Sequence, residues 1–325
     1  LNNIARWNGT SWSSLGIGMN GGVYALLADS NGNLYAGGQF TTAGGVTVNS
    51  IARWNGTSWS ALGTGVNNPD FPSTVYALAI DTSGNLYASG DFTTAGGVTV
   101  NFIARWNGTS WSGLGAGTNS EVYAMTIDSS GNLYAGGGFT TAGGVTANSI
   151  ARWNGTSWSA LGTGITNTVL TLTTDSSGNL YVGGFFTTAG GVTVNRVARW
   201  NGTSWSALGT GLDMGVYDII IDSSGNLYAG GEFTAAGETA ASMIARWNGT
   251  AWLSLAAGTS GSQHALITDA SGNLYAGESI SSGVGATVKR VSRWNGTSWS
   301  TLGAGMNQSV YAVTIDSGFP SSGYL

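Results

Sequence analysis

Few side chains in this sequence are equipped for acid–base chemistry. His264 is the single histidine, Lys289 the single lysine, and there is no cysteine. That removes disulfide frameworks, zinc fingers, iron–sulfur sites and thiol nucleophiles. It also deprives most acid–base and metal catalysis of its usual groups. A lone His with no partner set reads as a substitution on an inner strand rather than a catalyst. Carboxylates remain. A pair of them is sufficient for glycoside chemistry, so a polysaccharide lyase or hydrolase would have to rely on residues such as Asp91, Glu232 or Asp218. No spacing in the sequence sets any two of these at a defined distance.

The elements that hold these residues come from a repeat. Arg-Trp-Asn-Gly begins at Arg6, Arg53, Arg105, Arg152, Arg199, Arg246 and Arg293, at spacings of 47 residues with one of 52. A second Trp follows each first one by five residues, and these pairs account for all 14 Trp. A fixed period of this size marks one supersecondary unit per repeat. In the copy that starts at Val75, Val75 to Ile80 is rich in strand formers. Asp81 to Asn85 is a turn with Gly84 at positive φ. Leu86 opens a second strand that runs toward Phe92, and Thr93 to Asn101 reads as a long loop. Ile103 to Trp106 is a third strand, Asn107-Gly108 a type I′ hairpin turn, and Ser110 to Leu114 a fourth strand. No stretch has a helical apolar period, and the three Pro (Pro69, Pro72, Pro320) fall in loops or the tail.

Four antiparallel strands per repeat, seven times over, predict an all-β fold: a seven-bladed β-propeller in a single domain. Strand counting predicts how the ring closes. The chain opens on a third strand at Ile4 and ends on a first strand, Val310 to Ile315. A shared closing blade, 310–325 plus 1–16, would leave no open sheet edge. Within the repeats, seven turn Asp match the seven tetrad Arg one to one and read as framework. The Asp serves its turn, and the Arg packs between blades against Trp.

The Gly doublets after the second strands (Gly37-Gly38, Gly136-Gly137, Gly183-Gly184, Gly230-Gly231), followed by an aromatic, a Trp and Leu-Gly, resemble Kelch repeats. The first hairpin, Val-Tyr-Ala-Leu-x-x-Asp-Ser-Ser-Gly-Asn-Leu-Tyr, is equally similar to NHL and bacterial sensor-type repeats. The resemblance covers the whole chain and implies a propeller used as a binding scaffold. The copper radical oxidases of the Kelch group need a Cys–Tyr cross-link and His ligands, which this chain lacks. No Gly-His or Trp-Asp signature of the Trp-Asp repeat class occurs.

Seven copies of one unit permit an internal comparison. Ile51 to Gly65 and Ile150 to Gly164 are identical. Differences concentrate in three places. One follows the Gly doublet: Gln39, Asp91, Gly138, Phe185, Glu232 and Ser279. One precedes the third strand: Asn3, Ser50, Phe102, Ser149, Arg196, Met243 and Arg290. The third is the connection from each fourth strand to the next blade, of which 66–74 is the longest. In a propeller these positions share one face. Framework Arg and Asp cancel, so Arg196, Lys289 and Arg290 against Asp70, Asp91, Asp213, Asp218, Glu121, Glu232, Glu238 and Glu278 account for the net charge of −5. Loops on a rigid scaffold are the usual home of function, and drift on a wet surface seldom installs Phe102, Phe185 or Met243. The candidate ligand-binding residues are therefore Gln39, Asp91, Phe102, Phe185, Arg196, Glu232, Met243 and Arg290.

The expected role is a non-enzymatic binding or adhesion propeller, extracellular or on the cell surface, for a glycan or protein. No cofactor or metal is expected. So few cations argue against nucleic acid, and no apolar run of about 18 residues argues for membrane insertion. A structural module of a larger surface or filament protein is the alternative, and the lyase or hydrolase is third. Without an initiator Met or signal segment, the chain reads as a mature or trimmed piece. Gly16-Ile-Gly18-Met-Asn-Gly21 matches a dinucleotide fingerprint but has no βαβ context. Asp29 to Asn33 lacks the frame of a calcium loop. The seven Asn-Gly-Thr sequons are accounted for by their turns.

Overall fold

The computed structural model describes residues 2–255, 261–279, 289–303, 305–306 and 308–315, without the side chains of Ser279, Lys289 and Arg290. Among the described residues every regular element is a strand, and six four-stranded antiparallel sheets recur with the same strand order. The chain divides into two compact units. One is Leu1–Thr146 with Arg152–Ser159 and Thr314–Leu325; the other is Ala147–Ala151 with Ala160–Val313.

In the first unit, one complete sheet runs Gly22–Ala28, Leu34–Gln39, Ile51–Trp54, Trp59–Ala61, and the next Val75–Ile80, Leu86–Gly90, Ile103–Trp106, Trp111–Gly113. Its first element is a two-stranded ribbon, Ala5–Trp7 with Trp12–Ser14. The second unit contains sheets beginning at Val169–Thr174, Val216–Ile221 and Ser262–Thr268. Strands form where β-branched and aromatic residues cluster between Gly- and Asn-rich turns.

The core lies between sheets. Ile51, Leu62, Val66, Val75, Leu86, Phe92 and Trp111 form one buried cluster in the first unit; Val197, Leu208, Val216, Leu227, Phe233 and Trp252 form its counterpart in the second. Each Phe after a second strand (Phe92, Phe139, Phe186, Phe233) is fully buried, which is worth about 2–3 kcal/mol apiece. In six of the seven pairs the second Trp donates its indole N–H across to the preceding sheet: Trp59 to the Leu15 carbonyl, Trp111 to Leu62, Trp158 to Leu114, Trp205 to Leu161, Trp252 to Leu208 and Trp299 to Leu255, at 2.7–3.1 Å.

The turn Asp residues are saturated. Asp81 Oδ1 accepts the backbone N–H groups of Ser83 and Asn85, and its Oδ2 accepts the Asn85 amide and the Tyr87 hydroxyl. Burial raises the Asp81 pKa, but these four hydrogen bonds outweigh it and hold the carboxyl below its ordinary value. Arg105 donates to Asn85 Oδ1 at 3.1 Å, so framework Arg and Asp are joined through the Asn.

Three expectations need correction. The segment read as a loop, 93–101, contains a small ribbon, Thr94–Ala95 with Val98–Thr99. Its Gly96-Gly97 tip has φ of 58° and 80°, the double positive φ of a type I′ turn. The second strand ends at Gly90, short of Phe92, because Phe92 turns into the core. The Asn-Gly hairpin is not type I′. Only the Gly has positive φ (97° at Gly108), and Asn107 Oδ1 takes the N–H groups of Thr109 and Ser110. Here the Asn side chain closes the turn in place of its backbone. Residues 310–315, expected as a first strand, carry no ladder among the described residues. The second strand expected to pair with them, Ser322 to Leu325, lies outside the described residues, as does the rest of the tail from 316.

Candidate functional site

Each of the six paired first strands carries a register break at the same point. Val75 pairs with Gly90 and Ala77 with Ser89, so Tyr76 is an extra, unpaired residue. The same bulge isolates Tyr24, Tyr123, Leu170, Tyr217 and His264. Bulges re-aim a side chain away from the alternation of its strand. The re-aimed rings meet. In the first unit Tyr24, Tyr76 and Tyr123 follow one another at centroid separations of 6.4 and 5.2 Å. In the second, Phe185, Tyr217, His264 and Tyr311 form a row at 5.9, 5.3 and 5.2 Å, with the His264 ring stacked on Tyr217 at an interplanar angle of 15°.

The residue after each Gly doublet sits at the same end of the sheet. Glu232 faces the Tyr217 hydroxyl; burial first, then the hydrogen-bonding pull and charge of Glu232, push the phenol up to about 12. Burial lowers the His264 pKa against the opposing pull of Glu232, so at neutral pH the ring is an uncharged aromatic. In the first unit burial, then Asp91, Tyr123 and Glu121, push Tyr76 up to about 12. Burial and the Glu121 charge raise Asp91, although the Thr74 N–H bonds its carboxylate. Tyr76 and Tyr217 therefore keep protonated hydroxyls at neutral pH, the first near Asp91 and Glu121 and the second near Glu232.

The residue before each third strand completes the end. Asn3, Ser50, Phe102, Ser149, Arg196 and Met243 all have φ between 59° and 71°. This left-handed region costs a non-Gly residue about 1–2 kcal/mol, and such outliers cluster at functional sites. Yet none of the six is Gly. Phe102 bonds back through its carbonyl to the Gly90 N–H and through its own N–H to Phe92, beside Asp91. Arg196 is pinned likewise to Gly184 and Phe186, and its guanidinium donates to the Phe185 carbonyl. Met243 is held by Gly231 and Phe233, next to Glu232.

Thus Asp91 acts on Tyr76, Phe185 meets Arg196 and Tyr217, and Glu232 acts on Tyr217 and His264, while Phe102 and Met243 are backbone-bonded to the residues on either side of Asp91 and Glu232. Gln39 is exposed and reaches the Pro72 carbonyl from its amide at 3.5 Å. The Arg290 strand pairs with Glu278, but the Arg290 side chain lies outside the described residues. The fourth-to-first connections join the same end. Asn20 Oδ1 accepts the N–H groups of Thr41 and Thr42, and Asp213 does the same for Thr234 and Ala235.

Sequence reasoning missed the aromatic rows. A Tyr at the second position of nearly every first strand was visible, but bulges carry no composition signature. It also missed the polar contacts of Asp218. This residue replaces the Ala found at the same place in other copies (Ala25, Ala77, Ala124, Ala265). Its Oδ1 accepts the Thr171 hydroxyl at 3.0 Å and its Oδ2 the Leu266 N–H at 2.7 Å, while Thr171 Oγ accepts the Ile219 N–H. Three consecutive first strands are thereby stitched together. Burial, opposed by these bonds, raises the Asp218 carboxyl to about 6. No group of three or more metal-ligating side chains occurs among the described residues.

Comparison with known proteins agrees with this architecture. The model of a family described as "Domain of unknown function (DUF5122) beta-propeller" matches residues 176–202, the second and third strands of one repeat. No curated protein matches the sequence. The extracellular domain of the hybrid two-component system BT4673 from B. thetaiotaomicron is similar in structure (TM-score 0.61, 13% identity), covering 91% of this chain and 36% of that one. The chain therefore spans about a third of that domain. YCF48 bound to D1 peptide (TM-score 0.50, 15% identity) covers 86% of this chain and 81% of that one. YCF48 from Cyanidioschyzon merolae (TM-score 0.50, 13% identity) covers 90% and 88%. The chain has a β-propeller fold.

Proposed function

We propose that this chain is a non-enzymatic, extracellular or cell-surface binding propeller that recognises a glycan or a protein through the sheet ends just described. The observation that carries this reading is the row Phe185, Tyr217, His264, Tyr311 with the Glu232 carboxylate beside it. Large rings give contact area at low entropic cost, and protonated hydroxyls with carboxylates supply directional bonds. The left-handed Phe102, Arg196 and Met243 support it, since Gly would relieve the backbone at each. Seven blades of Kelch-like or NHL-like type, closed by a blade shared between the termini, are the arrangement that the seven tetrads support. The extracellular placement draws on the likeness to an extracellular domain. The two YCF48 structures, one with a peptide bound, keep a protein ligand in view.

A glycan array and a pull-down, each with Phe185→Ala and Tyr217→Ala, test the reading. Binding reduced tenfold or more by either variant supports it, and binding untouched by both removes this site. Near-identical repeats favour a second reading, a module within a larger surface protein. That reading predicts no ligand and an extended repeat array in the full gene. Appearance of new reducing ends or unsaturated uronates from incubated polysaccharides would instead establish the lyase or hydrolase.

A further inference from the structure

The one long repeat spacing, 52 in place of 47, arises in the connection 66–74. Its extra residues fold back over the first sheet and enclose a half-open pocket of about 210 Å³. Phe71 stands at its edge with 70% of its surface exposed, unusual for a Phe. The Asn68 carbonyl oxygen of the side chain holds the turn by accepting the Asp70 N–H, and its amide donates to the Asp91 carbonyl. The Ser50 hydroxyl fixes the far side by donating to the Ser73 carbonyl at 2.7 Å. Phe71 is therefore presented on an anchored loop.

The polar lining consists of amides and hydroxyls, with no charged side chain. Asn49 commits its amide N–H to the Thr64 carbonyl and Gln39 reaches only the Pro72 carbonyl, at 3.5 Å. Their side-chain oxygens, and the whole Asn67 amide, have no hydrogen-bond partner among the described residues. Amides present donor and acceptor side by side, matching vicinal hydroxyls that also do both. An exposed aromatic face beside them suits the apolar C–H face of a pyranose ring. The volume lies below the range of about 300–1,000 Å³ typical of drug-sized ligands, so one ring fits and a chain of rings does not.

We infer that this pocket binds one uncharged pyranose unit of a glycan, stacked on Phe71 and hydrogen-bonded by Gln39, Asn49 and Asn67. This deepens the binding reading above and rests on it. The absence of any cation in the lining selects against uronates, sulfated sugars and phosphate, which need charge-assisted partners.

Saturation-transfer NMR on the full chain, with a panel of methyl hexopyranosides, N-acetylglucosamine and glucuronate at millimolar concentration, tests it. At least one neutral sugar is expected to bind, with Phe71→Ala and Asn67→Ala each weakening it tenfold or more and Tm unchanged, since both side chains are exposed. Glucuronate is expected not to bind. No transfer from any neutral sugar, equal transfer with Phe71→Ala, or glucuronate binding as strongly would each overturn the inference. Array binding lost in Tyr217→Ala but intact in Phe71→Ala would sink this pocket and leave the binding reading standing; no array binding at all would sink both.

Discussion

Asp218 gives the sharpest test of how the sheets are coupled. Its carboxyl is raised from the ordinary 3.8 to about 6 because it is packed between first strands. Well below pH 3.8 it is protonated in the folded and unfolded chain alike. As pH rises the unfolded chain ionises first, so stability falls until the folded carboxyl has also ionised, above about pH 6. The shift from 3.8 to about 6 corresponds to about 3 kcal/mol lost across that window. Asp218→Asn removes the titration while keeping an oxygen to accept the Leu266 N–H and an amide to bond Thr171. The framework Asp81 is held low and titrates in the opposite sense, so the quantity to measure is the difference between the two proteins. Urea unfolding at half-unit steps from pH 3.5 to 8 provides it. The variant should match the parent near pH 3.5 and exceed it by about 3 kcal/mol at pH 8. Parallel curves would refute a raised carboxylate at this position.

Other perturbations separate strain from packing. Gly143 has φ of 57° and a Cβ there would meet the Trp158 ring at 2.6 Å, whereas Gly144, at φ 81°, has open space. Gly144→Ala should cost about 1 kcal/mol from backbone strain alone, and Gly143→Ala about 1–3 kcal/mol more from overpacking, both read from chemical denaturation. Asn107→Ala should cost about 1 kcal/mol, because two hairpin N–H groups lose their acceptor. Met243→Gly relieves a left-handed residue and should leave Tm level or higher while weakening any ligand bound beside Glu232; a fall of several degrees would show that the side chain is there for packing.

Much of the architecture was legible because its signals are local and repeated. Alternating apolar residues set between Asp-x-x-Gly-Asn turns and Asn-Gly hairpins mark each strand, and the copies reinforce one another. The Gly96-Gly97 ribbon escaped because two residues per strand leave no periodicity to read. The Tyr rows escaped for a deeper reason. A bulge is fixed by the partner strand, here the close-packed Gly doublet, and that partner is not next to it in sequence. The variable residues themselves were found by internal comparison. Their clustering required the carbonyl bonds that tie Phe102, Arg196 and Met243 back to the second strand. Phe71 lay within a segment already marked as variable, but only the folded pocket gives its exposure a meaning.

The indole staples carry a consequence for how such a chain grows. Each Trp N–H is received by a Leu 44 residues earlier, in the preceding sheet, so the bond that closes one repeat belongs to two. Cutting out part of a repeat would strand a buried donor on one side and a carbonyl on the other, at about 1–3 kcal/mol for each. Copying a whole period strands neither, because the incoming Trp finds the same Leu waiting. For these bonds, gene duplication in steps of one repeat is thus neutral, while other steps are penalised. The Trp111–Leu62 staple spans 49 residues and is still made at 2.9 Å. New sequence is admitted between donor and acceptor provided that it loops away, and the Phe71 segment entered by that route.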